Sequence, residues 1–171
     1  LLPLLDPELK QQDFFKRFEE ITYSPILGVN LWFDREITDK TFVGILDSPV
    51  HWVFNKKKVL SESNNYISLV ISGAHTLKDL PAEDLLKLCF EEIHKAFPQA
   101  KHAKLLHHRI LKETKATPSF GVGSLKLRPT YETPLQNLFL AGDWTNTGLP
   151  ATIEGAVKSG FEASELIFQK I

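Results

Sequence analysis

Four consecutive apolar residues, Leu138-Phe139-Leu140-Ala141, run directly into Gly142-Asp143-Trp144, and few folds accept such a junction. A run that short and uniformly apolar reads as a strand covered on both faces, the environment of a parallel sheet. Gly142 stops it and leaves Asp143 at its carboxyl end, where open α/β sheets bind ligands. Beyond the loop Thr145-Asn146-Thr147-Gly148-Leu149, Pro150 is placed to open a helix. Ile153, Ala156, Val157, Gly160, Ser164 and Ile167 follow at helical spacing. Gly155, Ser159 and Ala163 make a second line, small residues four apart, which would let the helix lie close to another backbone or a flat ligand. Glycine inside a helix costs about 1 kcal/mol against alanine, so Gly155 and Gly160 together imply a packing reason.

The chain ahead of this segment has a different texture. Residues 8–21 carry Leu9, Phe14, Phe15, Phe18 and Ile21 at near-helical spacing, and Tyr23-Ser24-Pro25 breaks the pattern. Strand-like runs follow at Ile26–Phe33, Phe42–Leu46, Val50–Phe54 and Tyr66–Ser72, the last with Ile67, Leu69 and Ile71 on one side. Lys56 to Asn65 is polar and reads as a loop, with Lys56-Lys57-Lys58 a solvated turn. Pro81 opens a helix with Glu83 and Asp84 in its first turn, and Leu85, Leu88, Cys89, Ile93 and Phe97 form its apolar stripe. Pro98 ends it, and His102–Leu111 returns as a strand that continues through Thr117. The pattern predicts an α+β fold: a mixed or antiparallel sheet with a packed helix, then a C-terminal strand-loop-helix of Rossmann-like type. The domain boundary is expected at 117/118, with residues 1–117 forming one part, led by a helix, and residues 118–171 the other.

Bulk properties narrow the function classes. Twenty basic and 21 acidic residues nearly cancel in a chain of 171, which favours neither a nucleic-acid groove nor a polybasic membrane patch. The one cysteine, Cys89, cannot form an intramolecular disulfide, which suits a reducing, cytoplasmic location. Its apolar neighbours mark it as a small buried hydrophobe rather than a nucleophile. No apolar run approaches the ~18 residues of a membrane span, so any membrane contact is expected to be peripheral. His107 and His108 point to opposite faces of a strand, and His51, His75, His94 and His102 show no ligand spacing, so no metal site is expected. Ser72-Gly73-Ala74-His75 does not match a nucleophile elbow.

Chemistry concentrates in the C-terminal segment. A carboxylate at a strand tip and the amide-rich, positive end of the next helix face one crevice. A flavin offers matching groups: ribityl hydroxyls that donate to Asp143, and a pyrimidine carbonyl that gains negative charge on reduction near Thr152 and Ile153. The same strand–Asp–helix order also occurs in α/β proteins without a cofactor. Trp144 either stacks near a flavin or fills the crevice, and Arg128 either faces a flavin or pairs with a carboxylate.

At these residues the sequence resembles a known family. Leu140-Ala141-Gly142-Asp143-Trp144, followed by Leu149-Pro150-Ala151-Thr152-Ile153-Glu154-Gly155-Ala156-Val157-Lys158-Ser159-Gly160, is similar to the C-terminal FAD motif of flavin-containing amine oxidoreductases. The nearest branch is the squalene-associated desaturases, or hydroxysqualene dehydroxylases, with plant-type phytoene and ζ-carotene desaturases alike at the same segment. His51-Trp52-Val53-Phe54, Ser72-Gly73-Ala74, Ala116-Thr117-Pro118 and Arg128-Pro129 stand in the order that branch shows.

The resemblance implies an FAD domain interleaved with a substrate domain, the latter supplying residues from about 22 to 115. It implies FAD contacts from Gly142, Asp143, Trp144, Pro150, Ala151, Thr152 and Ile153. Asp143 would lie on the ribityl-pyrophosphate side, and the Thr152-Ile153 turn under the isoalloxazine ring. No catalytic acid or base is assigned. The implied substrate is an isoprenoid or other apolar molecule, held in a tunnel lined by strands such as Ile26–Phe33 and Val50–Phe54.

The family's N-terminal Gly-x-Gly-x-x-Gly turn is absent, and Gly121-Val122-Gly123 precedes no convincing helix. The chain is therefore expected to be a fragment, a truncated gene product or half of a split enzyme. It would need the N-terminal half of the FAD domain as a partner, and would be inactive alone. Apolar surface at Leu138–Ala141 would favour a homodimer or swapping of the C-terminal helix. The alternative is a non-catalytic module of the same descent that binds a lipid or a protein.

Overall fold

The computed structural model describes residues 2–61 and 63–170. It divides into two compact units, one formed by residues 24–116 and the other by residues 2–23 with 117–170.

In the continuous unit, alternation dictates the sheet. Strand β1 (Thr22–Phe33) buries Pro25, Leu27, Val29, Leu31 and Phe33 on one face while the residues between them stay half-buried, as a pleated strand with one covered face must. Strands β2 (Phe42–Gly44), β3 (Trp52–Asn55), β4 (Tyr66–Ser72) and β5 (Leu105–Ser119) complete a five-stranded sheet in the order β2-β3-β4-β1-β5. The β2–β3, β3–β4 and β4–β1 pairs are antiparallel, with Leu69 opposite both Val53 and Val29. Ile67, Leu69 and Ile71 face inward, as their spacing predicts. Helix α4 (Ala82–Ala96) covers this face with Leu85, Cys89 and Ile93, all fully buried in one core with the strand residues.

Several expected boundaries move. Pro25 does not precede the strand but lies inside it, just ahead of the β1–β4 ladder. The β1–β4 ladder starts one residue later, at Ile26↔Ser72, and the Pro25 carbonyl still accepts from the Ala74 amide at 3.1 Å. The expected loop at 56–65 begins with a short helix, α3 (Lys56–Leu60), closed by Ser61 in the left-handed region at φ 55°. Its lysines are not simply solvated: Lys57 Nζ donates to Asn65 Oδ1 at 3.1 Å, and Lys58 Nζ donates to the Asp39 carbonyl. Pro81 is the cap of α4 rather than its first residue. A 3-10 turn occupies Pro98–His102, so β5 starts later than expected. Leu27, Val29, Leu31, Phe33 and Val53, expected along a substrate tunnel, are core residues of this unit. The opposite face of the sheet carries Phe42, Trp52 and Phe54 as mutual neighbours, with ring centroids 6.2–6.5 Å apart.

The second unit joins the leading segment to the C-terminal one, whereas sequence pattern alone groups the leader with the strands that follow it. The leader is not one helix over 8–21 but two short ones, α1 (Pro7–Lys10) and α2 (Asp13–Lys16), followed by a 3-10 turn at Arg17–Glu20. Gln12, with extended backbone, interrupts and restarts the helix. Phe15, Phe18 and Ile21 are thereby buried together with Leu140.

Helix α5 (Ile153–Lys170) closes the chain. It buries its line of small residues, Gly155, Ser159 and Ala163. Ile153, Val157, Phe161 and Phe168, which share a stripe on another side, are exposed. Of the two glycines, only Gly155 has a packing reason: a Cβ there would lie 2.9 Å from the Pro150 carbonyl oxygen, while a Cβ on Gly160 would meet nothing.

Candidate functional site

The apolar run Leu138–Ala141 is fixed as a single antiparallel bridge, Glu132↔Phe139, in place of a strand in a parallel sheet. The Leu140 amide donates to the Tyr131 carbonyl at 2.8 Å, and Thr133 Oγ1 donates to the Leu138 carbonyl at 2.9 Å. Leu140 is buried and Ala141 exposed.

Gly142 then turns the chain with φ 138°, and its missing Cβ makes room for the Trp144 ring, whose atoms lie 2.6 Å from where a Cβ would stand. Trp144 packs edge-on against Phe18, centroids 5.2 Å apart at 83°. It is half-buried and packs against the cluster of Phe15, Phe18, Ile21 and Leu140.

The loop from Gly142 to Thr152 is held at nearly every turn. The Gly142 amide donates to Ser159 Oγ at 2.7 Å, which ties the start of the loop to the second turn of α5. Thr145 donates to the Gly142 carbonyl from both its amide, at 3.1 Å, and its hydroxyl, at 2.8 Å. The Asn146 amide donates to the Pro129 carbonyl at 2.8 Å, and Lys158 Nζ donates to the Thr147 carbonyl at 2.8 Å. Tyr131 reaches the same region. Its hydroxyl donates to the Glu162 carboxylate and lies 3.4 Å from the Asn146 carbonyl. Burial, reinforced by the adjacent Glu162 carboxylate, pushes the phenol up to about 12.

Arg128 neither pairs with a carboxylate nor stands free. It is 6% exposed, and its guanidinium donates to the Leu149 carbonyl at 2.6 Å and to the Asp143 carbonyl at 2.9 Å. Thr147 Oγ1 lies 3.5 Å away. One planar group thus gathers the two sides of the loop, a task that suits the fixed fork of arginine.

Within this scaffold the expected site residues fall as follows. Asp143 is half-buried, and its carboxylate makes no hydrogen bond or ion pair among the described residues. Pro150 does not begin α5. Thr152 caps the helix instead, its Oγ1 accepting from the Gly155 amide at 3.2 Å and its carbonyl from the Ala156 amide at 2.9 Å. Proline two residues earlier supplies the turn into the cap, and its carbonyl accepts from Thr152 Oγ1 at 3.2 Å. Ala151 is half-buried and Ile153, the first helical residue, is 85% exposed. The amides of Ile153 and Glu154 are the donors the cap leaves unused. A free acceptor at Asp143 and free donors at the start of α5 fit a ligand that brings hydroxyl donors and a carbonyl acceptor, which are the groups a flavin presents. The supporting residues Arg128, Tyr131, Thr147, Lys158, Ser159 and Glu162 were not assigned from sequence. The Arg128-Pro129 pair, the Thr145-Asn146-Thr147 loop and the small-residue line through Ser159 hinted at some of them.

Comparison with known proteins gives a consistent result. The profile of one family, described as flavin containing amine oxidoreductase, matches residues 2–168. A hydroxysqualene dehydroxylase from Sinorhizobium fredii is 33% identical over 84% of this chain and 32% of its own length. A 15-cis-phytoene desaturase from Synechococcus elongatus is 30% identical over 99% of this chain and 38% of its own. Among solved structures, an oxidoreductase from Methanosarcina mazei shares the fold with a TM-score of 0.63, at 15% identity, over 96% of this chain and 39% of that one. The chain spans about a third of the length of the curated relatives it matches.

Proposed function

The chain belongs to the flavin containing amine oxidoreductases, whose cofactor is FAD, and we propose that it supplies the C-terminal part of an FAD-dependent oxidoreductase acting on an isoprenoid or similar apolar substrate. Residues 117–170, with the leader 2–23 in the same unit, contribute the closing segment of the FAD domain, and the strand-rich residues 24–116 contribute part of the substrate domain. The names of the relatives, a hydroxysqualene dehydroxylase and a phytoene desaturase, support the substrate class. So does the aromatic group Phe42, Trp52 and Phe54 on the sheet face away from the core, where Phe42 is 60% and Trp52 44% exposed. Apolar rings left in water are costly unless a ligand or partner covers them.

One observation carries the reading: the Asp143 carboxylate is unengaged in a loop whose other polar groups are almost all satisfied. A half-buried carboxylate that accepts from no protein donor is left to water or to a ligand that brings donors. Ribityl hydroxyls would do so, with Asp143 accepting. The unused amides of Ile153 and Glu154, at the positive end of α5, would donate to the pyrimidine edge and favour negative charge there. Gly142 would give close backbone approach, while Trp144, Pro150 and Ala151 would shape the same wall. Bound FAD supplies the two-electron acceptor. The protein's part is to bind it, orient it and keep water from the reacting bond.

The N-terminal half of an FAD domain, as partner or as preceding chain, is what the exposed stripe Ile153, Val157, Phe161 and Phe168 would be covered by. The test is to join that half to this chain, in one reading frame or in trans, and measure the flavin band after gel filtration. A yellow protein with stoichiometric FAD is expected, and Asp143→Ala should weaken FAD binding at least about tenfold, the loss of one or two charge-assisted hydrogen bonds. Hydroxysqualene or a carotene precursor should then alter the flavin spectrum under anaerobic conditions. A reconstituted protein that stays colourless with FAD in excess would overturn the proposal.

A further inference from the structure

Arg128 is a buried cation with no acidic partner. None of the described carboxylates lies within ion-pair distance, its Nε is buried without a hydrogen bond, and the Phe120 ring centroid is 5.2 Å from the guanidinium carbon. A charge in that setting is expensive, and a neutral side chain of similar volume would ordinarily serve stability as well or better. What the guanidinium does instead is join two backbone carbonyls, Asp143 and Leu149, at the two sides of the loop that carries the unengaged carboxylate and leads to the cap of α5.

We propose that Arg128 is a positioning residue for the cofactor segment: by clamping the carbonyls of Asp143 and Leu149 it fixes the loop between them, and so the presentation of the Asp143 carboxylate. This rests on the flavin reading given above. A lysine in its place carries the charge but lacks the planar fork, and cannot hold two carbonyls in one fixed geometry. A methionine fills the volume and holds neither. Because Arg128 acts through the loop, its effect on cofactor binding and that of Asp143 are not independent, and the two should couple in a double-mutant cycle.

The experiment uses the whole protein that contains this chain, with FAD affinity measured by fluorescence quenching for the unaltered protein, Arg128→Lys, Arg128→Met, Asp143→Asn, and each Arg128 variant combined with Asp143→Asn. Limited proteolysis of the FAD-free proteins reports on the loop itself. Arg128→Met should weaken FAD binding roughly tenfold or more and Arg128→Lys by an intermediate factor. Adding Asp143→Asn to either variant should cost clearly less than it costs alone, and cleavage between residues 143 and 149 should accelerate. Full additivity of the two substitutions, or unchanged affinity with unchanged cleavage, would overturn the clamp. Where the methionine variant does not fold, the lysine variant carries the same cycle. Should the unaltered protein bind no FAD, the flavin reading fails, and the clamp is then judged by cleavage of the loop: faster in the variants supports it, unchanged rejects it.

Discussion

Gly142 and Gly148 both have positive φ, 138° and 74°, yet they differ in what surrounds them. A Cβ on Gly142 would overlap the Trp144 ring, while one on Gly148 would meet nothing within 4 Å. Gly148→Ala should therefore cost only the backbone term, about 1 kcal/mol. Gly142→Ala should cost about 2–4 kcal/mol, since it adds a steric conflict with a ring that is itself wedged against Phe18. Equal losses in urea unfolding would show that the ring can move aside freely. Cys89 gives a second test at this scale. Burial pushes its thiol up to about 12 from an ordinary 9.0, with Glu92 adding to the shift. The folded state thus holds its proton more tightly than the unfolded state, so this contribution is intact below pH 9 and declines as pH rises from 9 towards 12, by up to about 1.4 kcal/mol per pH unit. Cys89→Ala should flatten that part of the stability–pH curve even though it lowers stability at neutral pH. A curve of unchanged slope would locate the alkaline loss in other groups. The burial of Cys89 was legible from its apolar neighbours. The role of Arg128 was not, because a guanidinium that binds carbonyls leaves no complementary acidic residue in the sequence to point to it.

Helix α5 shows how far a pattern of side chains can be trusted at the level of an element. Its existence and its line of small residues were both readable, and Gly155, Ser159 and Ala163 are indeed the buried set. Which of its two stripes faces inward was not decided by apolarity: Ile153, Val157 and Phe161 are the outward ones. The close approach of the Pro150 carbonyl and the Gly142–Ser159 hydrogen bond, neither visible in a hydrophobicity pattern, set the orientation. Two substitutions of the same type should consequently have opposite signs. Gly160→Ala, on the exposed side with open space around it, should stabilise by about 0.5–1 kcal/mol through helix propensity. Gly155→Ala gains the same propensity but must displace a backbone oxygen, and should destabilise by about 1–3 kcal/mol net. Chemical unfolding of the two variants checks this, and a stabilised Gly155→Ala would mean that the loop can retreat from the helix at no cost. Strand β4 and helix α4 lie at the other extreme. Ile67, Leu69 and Ile71 are the buried face of β4, and Leu85, Cys89 and Ile93 are buried on α4, where Leu88 is half-buried and Phe97 is the C-terminal cap; each element packs against neighbours within the same stretch of chain.

At the scale of the whole molecule the two units differ in how their cores are drawn from the chain. All sixteen buried members of the larger core lie between Leu27 and Ala100, and the partly buried residues packed on them extend only to Ile110. Among the described residues the smaller core has four, Phe15, Phe18, Ile21 and Leu140, three of them from the leader and one from beyond residue 117. Local periodicity could therefore describe residues 24–116 well and could not reveal that Phe15 and Phe18 belong with Trp144, since that association spans more than 120 residues of sequence. No described helix is long and apolar enough to cross a membrane. The asymmetry of the cores implies unequal autonomy. A protein of residues 24–116 keeps its entire core and the β2-β3-β4-β1 order, and should fold alone, with dispersed amide resonances and a cooperative urea transition. A protein of residues 117–171 retains Leu140 and the half-buried Trp144 but loses the three aromatic and aliphatic partners that close over them. Burying those partners is worth about 1.5–3 kcal/mol apiece, comparable in sum with the stability of a small domain. It should be largely unfolded apart from fluctuating helicity in α5, and adding a peptide of residues 1–23 should restore structure in proportion to its concentration. If residues 117–171 unfolded cooperatively without the leader, Phe15, Phe18 and Ile21 would be dispensable packing, and the support they give Trp144 could not be what holds the Gly142–Thr152 loop in place.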